Sequence, residues 1–373
     1  MGQSESTDCL VVGGGVIGLS IAYELARGGR TVRLLERGQT GREASWAGAG
    51  VLPPGSWYLD HPAADWLAAE SCRAHAELSE ELAEAAGIDD QYARCGAIYL
   101  QSEETRGSLA EKFAGWRTRG IEVETLGPKV AASVAPGVAC GAGYFVPGEA
   151  QVRNPRRLRA LHVACERRGV RIETGVSAEA FTVRNGRIES LQTSDGPRVA
   201  GGYCLAAGAW VGPLAESLGV RAPVRPIRGQ MLLLRLPRPV VDRIVHRDGL
   251  YLVPRSDGKV LVGATVEDAG FDKSTNPTDL QALRRFAVDV VPALADAEVE
   301  KSWAGLRPGS ADGLPLIGPL AGLANAWIAG GHFRSGLQFA PATARLVRGL
   351  MGGEAVDAPI EAFAPNRFTD AAA

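Results

Sequence analysis

Three glycines near the start of the sequence have the spacing that binds the pyrophosphate of a dinucleotide. Gly13, Gly15 and Gly18 form G-x-G-x-x-G directly after a short apolar run. In such a motif the first glycine allows a tight turn, the second lets the backbone approach the pyrophosphate, and the third lets the following helix pack closely. Glu36 ends the next apolar run, where an acid can accept hydrogen bonds from ribose hydroxyls. These residues predict dinucleotide binding, and FAD and NAD both remain open at this point.

The elements that must position this motif occur in the order strand, helix, strand. The apolar run 8–12 predicts the first strand, and the run 31–36 predicts the second. Between them, apolar residues recur at helical intervals as far as Gly28-Gly29, which can end a helix. This context predicts half of a Rossmann-like nucleotide-binding fold, which the glycine spacing alone would not.

The run 41–54, GREASWAGAGVLPP, lies where an NAD enzyme ordinarily continues into its next helix. It consists mainly of small residues around one large Trp46 and ends at Pro53-Pro54, so it predicts a long loop. Such a loop suits a bulky planar ring that lies along the main chain and bonds to its free amides. The run therefore favours a flavin, although a glycine-rich surface loop would have the same composition.

Composition and charge are those of an ordinary globular protein of about two domains. Of the 373 residues, 46% are hydrophobic, and the net charge of -2 provides no basic surface for nucleic acid or for an anionic membrane. The cysteines and the five histidines are scattered without ligand spacing, so we expect no metal site. The sequence shows no signal-peptide pattern and no apolar run that could span a bilayer, so we expect a cytoplasmic protein.

The C-terminal part adds two informative runs, SWAGLRPGSADGLPLIGPL and AWIAGGHFRSGLQFAPATARLVRGLMGG. With these runs and the N-terminal motif, the sequence resembles the D-amino acid oxidase family of FAD-dependent oxidoreductases over nearly its whole length, and most closely the glycine oxidase branch of the thiamine-biosynthesis type. The resemblance implies an α/β fold with a discontinuous, Rossmann-like FAD-binding domain, residues 1–57, 144–224 and 301–373. It also implies a second, sheet-rich α+β substrate domain, residues 58–143 and 225–300.

The patterns inside the predicted substrate domain are mixed. Residues 58–143 are mostly helical in pattern. In the second segment, two strand-like runs are joined by Asp257-Gly258, which is a hairpin signal. The run 277–294 that follows has the periodicity of an amphipathic helix.

The resemblance also implies which residues contact FAD. They are Gly13, Gly14, Gly15, Val16, Ile17, Gly18, Glu36, Arg37, Ser45, Ala47, Gly48, Ala49, Gly50, Val51, Val176, Gly208, His332, Phe333, Arg334, Ser335, Gly336, Leu337 and Gln338. Trp46 departs from the small or hydroxyl residues expected in this loop.

We expect FAD to be bound non-covalently. The sarcosine-oxidase branch of the family attaches its flavin through a cysteine in the C-terminal half, and this sequence has no cysteine beyond Cys204. The cysteines, which we predict to be small buried apolar residues or free thiols, are Cys9, Cys72, Cys95, Cys140, Cys165 and Cys204.

Arg307 is the strongest candidate for substrate binding. A guanidinium stays charged at any working pH and holds a carboxylate through two parallel hydrogen bonds, which would orient an amino acid toward the flavin. By resemblance, Arg307 is the family's carboxylate-binding arginine, Tyr251 bonds the other carboxylate oxygen, and Arg334 lies near the substrate or the flavin. A helix predicted from Gly336 would place its N-terminal dipole at the flavin edge, where it stabilises negative charge.

The function implied is FAD-dependent oxidative deamination of glycine, sarcosine and small D-amino acids. Hydride transfer from the α carbon to flavin N5 gives an imine, then a 2-oxo acid and ammonia, while oxygen is reduced to hydrogen peroxide. The alternatives are a D-amino acid oxidase or dehydrogenase with a broader pocket, an N-methyl amino acid oxidase, a silent flavin-binding subunit, and a nicotinamide enzyme. We expect a small amino acid and oxygen as partners, and a homo-oligomer.

Overall fold

The computed structural model describes residues 7–128, 134–139 and 141–368, so the predicted thiol Cys140 lies outside the described residues. The strands are β1 (Cys9–Val12), β2 (Val32–Glu36), β3 (Val51–Leu52), β4 (Ala97–Leu100), β5 (Glu124–Leu126), β6 (Gly143–Val146), β7 (Ala150–Gln151), β8 (Arg171–Thr174), β9 (Ala178–Arg184), β10 (Arg187–Thr193), β11 (Gly196–Arg198), β12 (Gly202–Leu205), β13 (Val224–Arg235), β14 (Ile244–Arg247), β15 (Leu250–Pro254), β16 (Lys259–Gly263), β17 (Glu298–Ser310), β18 (Leu316–Pro319) and β19 (Ala326–Gly330). The α-helices are α1 (Val16–Arg27), α2 (Ala44–Ala47), α3 (Pro62–Ala86), α4 (Arg106–Thr118), α5 (Asn154–Arg167), α6 (Val211–Glu216), α7 (Pro277–Val290), α8 (Gly336–Gly352) and α9 (Ile360–Phe363). Short 3₁₀ turns span Gly208–Trp210, Pro292–Asp296 and Pro365–Phe368.

The first sheet has six strands in the order β18-β19-β12-β1-β2-β8, and all but β18 run parallel to their neighbours. In this register Val12 lies opposite both Leu35 and Leu205, so β1, β2 and β12 end at the same edge. Successive side chains of a strand point to opposite faces, and here both faces are covered. Helices α1, α5 and α8 cover one face, and α6 with the small β9–β11 sheet covers the other. The predicted Rossmann-like unit, with its strand, helix and strand, is confirmed.

The second sheet has eight strands in the order β17-β13-β16-β15-β14-β4-β6-β5. All of its pairs are antiparallel except β14 with β4. The hairpin expected at Asp257-Gly258 joins β15 to β16, and Gly258 has the positive φ of +81° that its turn requires. The predicted helix 277–294 ends earlier, at Val290, because Pro292 cannot continue it and a 3₁₀ turn follows.

Helix α3 shows a packing relation that the sequence did not indicate. It belongs to the segment expected in the substrate domain, yet Leu67, Leu82 and other apolar residues of this helix pack in the core that covers the first sheet, against α5 and α8. The domain boundaries remain a prediction. On this packing we propose that α3 belongs to the nucleotide-binding part, and that β6 and β17 belong to the part built on the second sheet.

Candidate active site

A cavity of about 460 Å³ opens where the two sheets meet. It starts at the carboxyl ends of β1, β2 and β12, where ligands bind in sheets of this kind, and it reaches β13, β15 and β17 of the second sheet. Of the residues predicted to contact FAD or substrate, those that line it are Gly13, Gly15, Val16, Ile17, Glu36, Arg37, Ser45, Ala47, Gly48, Ala49, Gly50, Val51, Val176, Gly208, Tyr251, Arg307, His332, Phe333, Arg334, Gly336, Leu337 and Gln338. Gly14, Gly18 and Ser335 are not among the residues that line it.

The turn between β1 and α1 is built so that its backbone stays close to its neighbours. Gly13 has φ +114°, and a β-carbon there would lie 2.4 Å from the carbonyl oxygen of Ala206. A β-carbon on Gly18 would lie 1.8 Å from the carbonyl oxygen of Gly13, so this glycine lets α1 pack on the turn although it does not line the cavity. The Val16 amide donates to Ser45 Oγ at 2.9 Å. The first turn of α1 is therefore held at the cavity wall, where its unpaired amides can bind a pyrophosphate.

The carboxylate of Glu36 is fixed at the rim of the cavity. It accepts hydrogen bonds from the amides of Gly14 and Gly38, each at 2.8 Å. The Val176 amide donates to the Glu36 carbonyl oxygen at 3.1 Å, which brings the predicted adenine-side residue to the same place. Glu36 can therefore accept from a ribose while its position is held by the backbone.

Trp210 also lines this end of the cavity and was missed in the sequence. The Arg37 guanidinium lies 3.7 Å from the centre of its ring, and Phe271 stacks on the ring with centroids 5.3 Å apart. The run GAW in the sequence indicated only a tryptophan after a buried strand. Its contact with Arg37 arises because β12 and β2, which lie on either side of β1, end at the same edge of the first sheet.

The small-residue run 41–54 is more ordered than the long loop that we predicted. Ala44–Ala47 forms one helical turn, and β3 pairs with β7. Two polar side chains that the sequence did not single out hold this run: Asn154 donates to the Ser45 carbonyl at 2.9 Å, and Arg255 donates to the Ala49 carbonyl at 2.7 Å. Burial lowers the pKa of Arg255 to about 10, so its guanidinium stays protonated and keeps these bonds near neutral pH.

Trp46 lies outside the cavity. Its ring packs against Trp303 with centroids 5.3 Å apart, and the Trp303 indole donates to the Ala47 carbonyl at 3.0 Å. The large residue that departs from the family's pattern therefore packs behind the run 45–50 and does not restrict access to the cavity.

The N-terminus of α8 forms the wall next to β19. Gly336, Leu337 and Gln338 line the cavity there, and Gln338 is fixed by donating to the carbonyls of Pro53 and Gly55 at 2.8 and 3.0 Å. Burial lowers the pKa of His332 to about 3, so its ring is neutral, and Nε2 lies 3.1 Å from Thr343 Oγ1. A helix N-terminus beside neutral side chains stabilises negative charge in the cavity.

Arg307 lies at the far end of the cavity and is held by main-chain carbonyls. Its Nη1 donates to the carbonyl oxygens of Thr265 at 3.0 Å and Arg228 at 3.3 Å. Burial lowers the pKa of Arg307, and the neighbouring Tyr251 raises it in part. The structure therefore places the two predicted carboxylate ligands, on β15 and β17 of the second sheet, in the wall of the same cavity.

The space for this guanidinium depends on a glycine. A β-carbon on Gly229 would lie 2.1 Å from Arg307 Nη1, so any side chain there would displace the guanidinium. We predict that Gly229→Ala raises KM for the carboxylate substrate about tenfold, which corresponds to about 1.4 kcal/mol, and leaves the FAD content unchanged. Steady-state kinetics and the flavin absorbance of the purified variant measure both effects. Gly107→Ala, where an added β-carbon meets nothing within 4 Å, is the matched control; equal KM values for the two variants would contradict the prediction.

Arg334 lies at the entrance of the cavity, close enough to Arg307 for its charge to contribute to lowering the pKa of Arg307. Its Nη2 donates to the Gly249 carbonyl at 3.2 Å, and its guanidinium lies over the ring of Tyr58, 4.2 Å from the centre. Tyr58 is 37% exposed, so these two residues form the outer wall of the cavity. A position of Arg334 near the substrate remains a prediction.

A further group at this end was missed in the sequence. His246 lines the cavity, and its Nε2 lies 2.8 Å from Oε1 of the buried Glu149. The Tyr99 hydroxyl donates to the other Glu149 oxygen at 2.5 Å. No sequence spacing connects these residues, since they lie on β4, after β6 and on β14.

These walls fit FAD. The glycine turn leaves room for a pyrophosphate, Glu36 is placed for a ribose, and α8 faces the space where an electron-rich ring system would lie. In addition, Oδ1 of the buried Asn154, a residue of the cavity wall, has no hydrogen-bond partner in the described part of the chain. An unpaired buried acceptor is costly, so a bound group that brings a donor would satisfy it.

Similarity to known proteins supports the same cofactor. The family model described as FAD dependent oxidoreductase, DAO, matches residues 8–350. The chain belongs to this FAD-dependent oxidoreductase family. The glycine oxidase of Pseudomonas aeruginosa is 37% identical over 92% of this chain and 94% of its own length. The bifunctional protein ThiO/ThiG of Trichormus variabilis is 32% identical over 97% of this chain and 55% of its own length.

A solved structure agrees. The crystal structure of glycine oxidase from Geobacillus kaustophilus superposes with a TM-score of 0.93 at 31% identity and covers 96% of this chain and 98% of that one. The predicted family, the α/β fold class and FAD as cofactor of this oxidoreductase are thereby confirmed. In the residues that the structure describes, no cluster of His, Cys, Asp and Glu could hold a metal ion, and none of the described helices is both long and apolar enough to cross a membrane.

Proposed function

We propose that this FAD-dependent oxidoreductase is an oxidase of glycine and other small amino acids or amines, including sarcosine and small D-amino acids. The observation that carries the proposal is the pair Arg307 and Tyr251, which share the cavity with the glycine turn. A silent flavin-binding subunit would not need a carboxylate site beside its flavin. The similarity to glycine oxidases supports the same substrate class.

The side chains of the site orient the substrate and supply no covalent chemistry. FAD, when bound, supplies the acceptor for the hydride that leaves the α carbon. Arg307, already fixed by the carbonyls of Arg228 and Thr265, holds the carboxylate, and the Tyr251 hydroxyl donates to its second oxygen. The gain in rate comes from this orientation and from the positive end of α8. Overall, an amino acid and molecular oxygen become a 2-oxo acid, ammonia and hydrogen peroxide.

Several finer points belong to the same proposal. FAD is bound non-covalently, since no cysteine is among the described residues that line the cavity. The ThiO/ThiG match supports a place in thiamine biosynthesis. The sequence patterns support a cytoplasmic location. The oligomers that are common in this family support a homo-oligomeric state.

The visible spectrum of the purified protein, before and after anaerobic addition of glycine, tests the proposal. A bound-flavin spectrum that bleaches is the expected result. A flavin that stays oxidised with glycine, but bleaches with a larger D-amino acid or an N-methyl amino acid, would assign the pocket to one of those substrates. A flavin that none of these reduces would overturn the oxidase proposal.

A further inference from the structure

A buried carboxylate and imidazole lie beside the substrate end of the cavity and have no part in the function proposed above. Glu149 is fully buried and has two partners, the Tyr99 hydroxyl at 2.5 Å and His246 Nε2 at 2.8 Å. A buried polar group without partners is costly, and here both carboxylate oxygens have a partner at hydrogen-bond distance. The group is therefore a built site and not an incidental contact.

The strand register directs His246 toward the same space as Tyr251. In the second sheet His246 lies opposite Tyr251 on β15 and opposite Tyr99 on β4, so the three side chains share one face. The imidazole is stacked on the Tyr99 ring with centroids 4.2 Å apart at an angle of 6°. Trp57 lies against it on another side, with centroids 5.9 Å apart. The ring cannot turn freely, and it lines the cavity with its centre 6.2 Å from that of the Tyr251 ring.

The hydrogen bonds determine which ring nitrogen is available. Burial and the adjacent Glu149 raise the pKa of Tyr99, so its hydroxyl remains protonated and donates to the carboxylate. We assign Glu149 as the acceptor at both oxygens, and this assignment places the proton of His246 on Nε2. A neutral His246 therefore has its lone pair on Nδ1, and Nδ1 has no hydrogen-bond partner among the described residues.

A lone pair beside the carboxylate site can accept the proton that the substrate must lose. An amino acid at neutral pH carries an ammonium group, while hydride can leave the α carbon only when the nitrogen lone pair is free. When Arg307 and Tyr251 bind the carboxylate of an α-amino acid, the nitrogen of that amino acid lies two bonds from the carboxyl carbon. The nitrogen is thus confined to the end of the cavity that His246 lines.

We propose that His246 accepts the proton of the substrate ammonium group at Nδ1, and that Glu149 stabilises the imidazolium that forms. This inference rests on the proposed function. One N–H bond of the ammonium breaks, one Nδ1–H bond forms, and the positive charge moves from substrate to imidazole, so the neutral amine is left in place. The proton passes to water when the product leaves. An imidazolium held between Glu149 and a neutral amine is the arrangement in which a histidine works as a base.

The charged and titratable groups near His246 come from several elements. Glu149 contacts Nε2, and Tyr99 and Tyr251 lie against the ring. Tyr58, Arg307 and Arg334 lie close to Tyr251 and Glu149 in the same part of the cavity. In the proposed transfer, Glu149 stabilises the charge that His246 takes up, and the two guanidinium groups oppose it. Because the substrate ammonium group must lose a proton before hydride can leave, substrate reduction of the flavin must weaken as the pH falls.

The test is the anaerobic rate constant for flavin reduction by glycine, measured by stopped flow between about pH 6 and pH 10, where histidine and amines titrate. Four proteins are compared: wild type, His246→Gln, Glu149→Gln and the control His162→Gln. His162 makes a similar contact with Glu166, at 3.4 Å, but is not among the residues that line the cavity. The dissociation constant of acetate, a carboxylate without an ammonium group, is measured from its effect on the flavin spectrum.

We expect His246→Gln to lower the rate constant near neutral pH about 100-fold, within the usual range for loss of a general base. Its rate should then rise steadily with pH, because only free amine reacts, and acetate should bind as in wild type. Glu149→Gln should require higher pH than wild type for the same rate, and His162→Gln should match wild type.

Two results would overturn the role of His246. One is a His246→Gln profile that equals the wild-type profile, and the other is an equal loss of acetate and glycine binding, which indicates a structural role only. If His246→Gln does not retain FAD, the Glu149→Gln profile decides, since an unchanged profile there excludes the imidazolium. A wild-type flavin that no small amino acid reduces would instead refute the proposed function itself, which separates the two failures.

Discussion

Replacing Arg307 with leucine will lower kcat/KM for glycine about a thousandfold, while the purified protein keeps its FAD. The substrate carboxylate loses two charge-assisted hydrogen bonds, and each contributes about 1.5–3 kcal/mol. A total of about 4 kcal/mol corresponds to three factors of ten. Because Tyr251 remains, acetate should still bind, but much more weakly. The measurements are steady-state kinetics, flavin content, and titration of the flavin spectrum with acetate.

The position of Arg307 explains why the two effects can be separated. Its guanidinium donates to the carbonyls of Arg228 and Thr265, and none of its described hydrogen bonds reaches the glycine turn or α8. Arg307→Lys keeps the charge but not the paired donors, so we expect a loss of about 30-fold, smaller than for leucine. Arg225→Leu is the matched control, because Arg225 lies at the start of β13 and forms a surface ion pair with Asp268. A wild-type kcat/KM in Arg307→Leu would refute the carboxylate role.

The nucleotide end of the cavity could be predicted because its parts are adjacent in the sequence. The turn from β1 to α1 and the acid at the end of β2 lie within 24 residues, Gly13 to Glu36, and the glycine spacing is itself a sequence pattern. Strand and helix periodicity gave their elements, and the structure placed them as expected. A short sequence window therefore contains the residues that form this part of the site, although the obstacle at Gly13 is the distant Ala206.

The substrate end of the cavity could not be predicted from the sequence in this way. Glu149 and His246 are 97 residues apart, and Asn154 and Ser45 are 109 apart. Their contacts depend on the register of the eight-stranded sheet and on how the two sheets meet, which no short window contains. Helix α3 gives the same lesson, since its periodicity predicts a helix but not the layer on which its apolar face packs. Arg307 and Tyr251 were found by their resemblance to a family, not by spacing.

Gly13→Ala will yield protein that purifies without FAD and binds added FAD at least about 100-fold more weakly than wild type, a loss of about 2.7 kcal/mol. Two effects combine at this residue. Its φ of +114° is strained for any residue with a β-carbon, and that β-carbon would overlap the Ala206 carbonyl at 2.4 Å. Because the obstacle is main chain, the turn itself must move, and the first turn of α1 must move with it.

Gly29→Ala separates strain from overlap. Gly29 also has a positive φ, +80°, but a β-carbon there meets nothing within 4 Å, and the residue lies beyond the far end of α1. This variant should lose only about 1 kcal/mol of folding stability from backbone strain and should remain yellow. Flavin absorbance per protein and thermal unfolding of both variants are the measurements. If both variants lose FAD equally, general instability is the cause; if Gly13→Ala stays fully loaded, the turn is not where the pyrophosphate binds. The predicted difference arises because, of these two glycines, only Gly13 combines a strained φ with a main-chain carbonyl that an added β-carbon would overlap. This overlap occurs at the point where α1 meets the cavity.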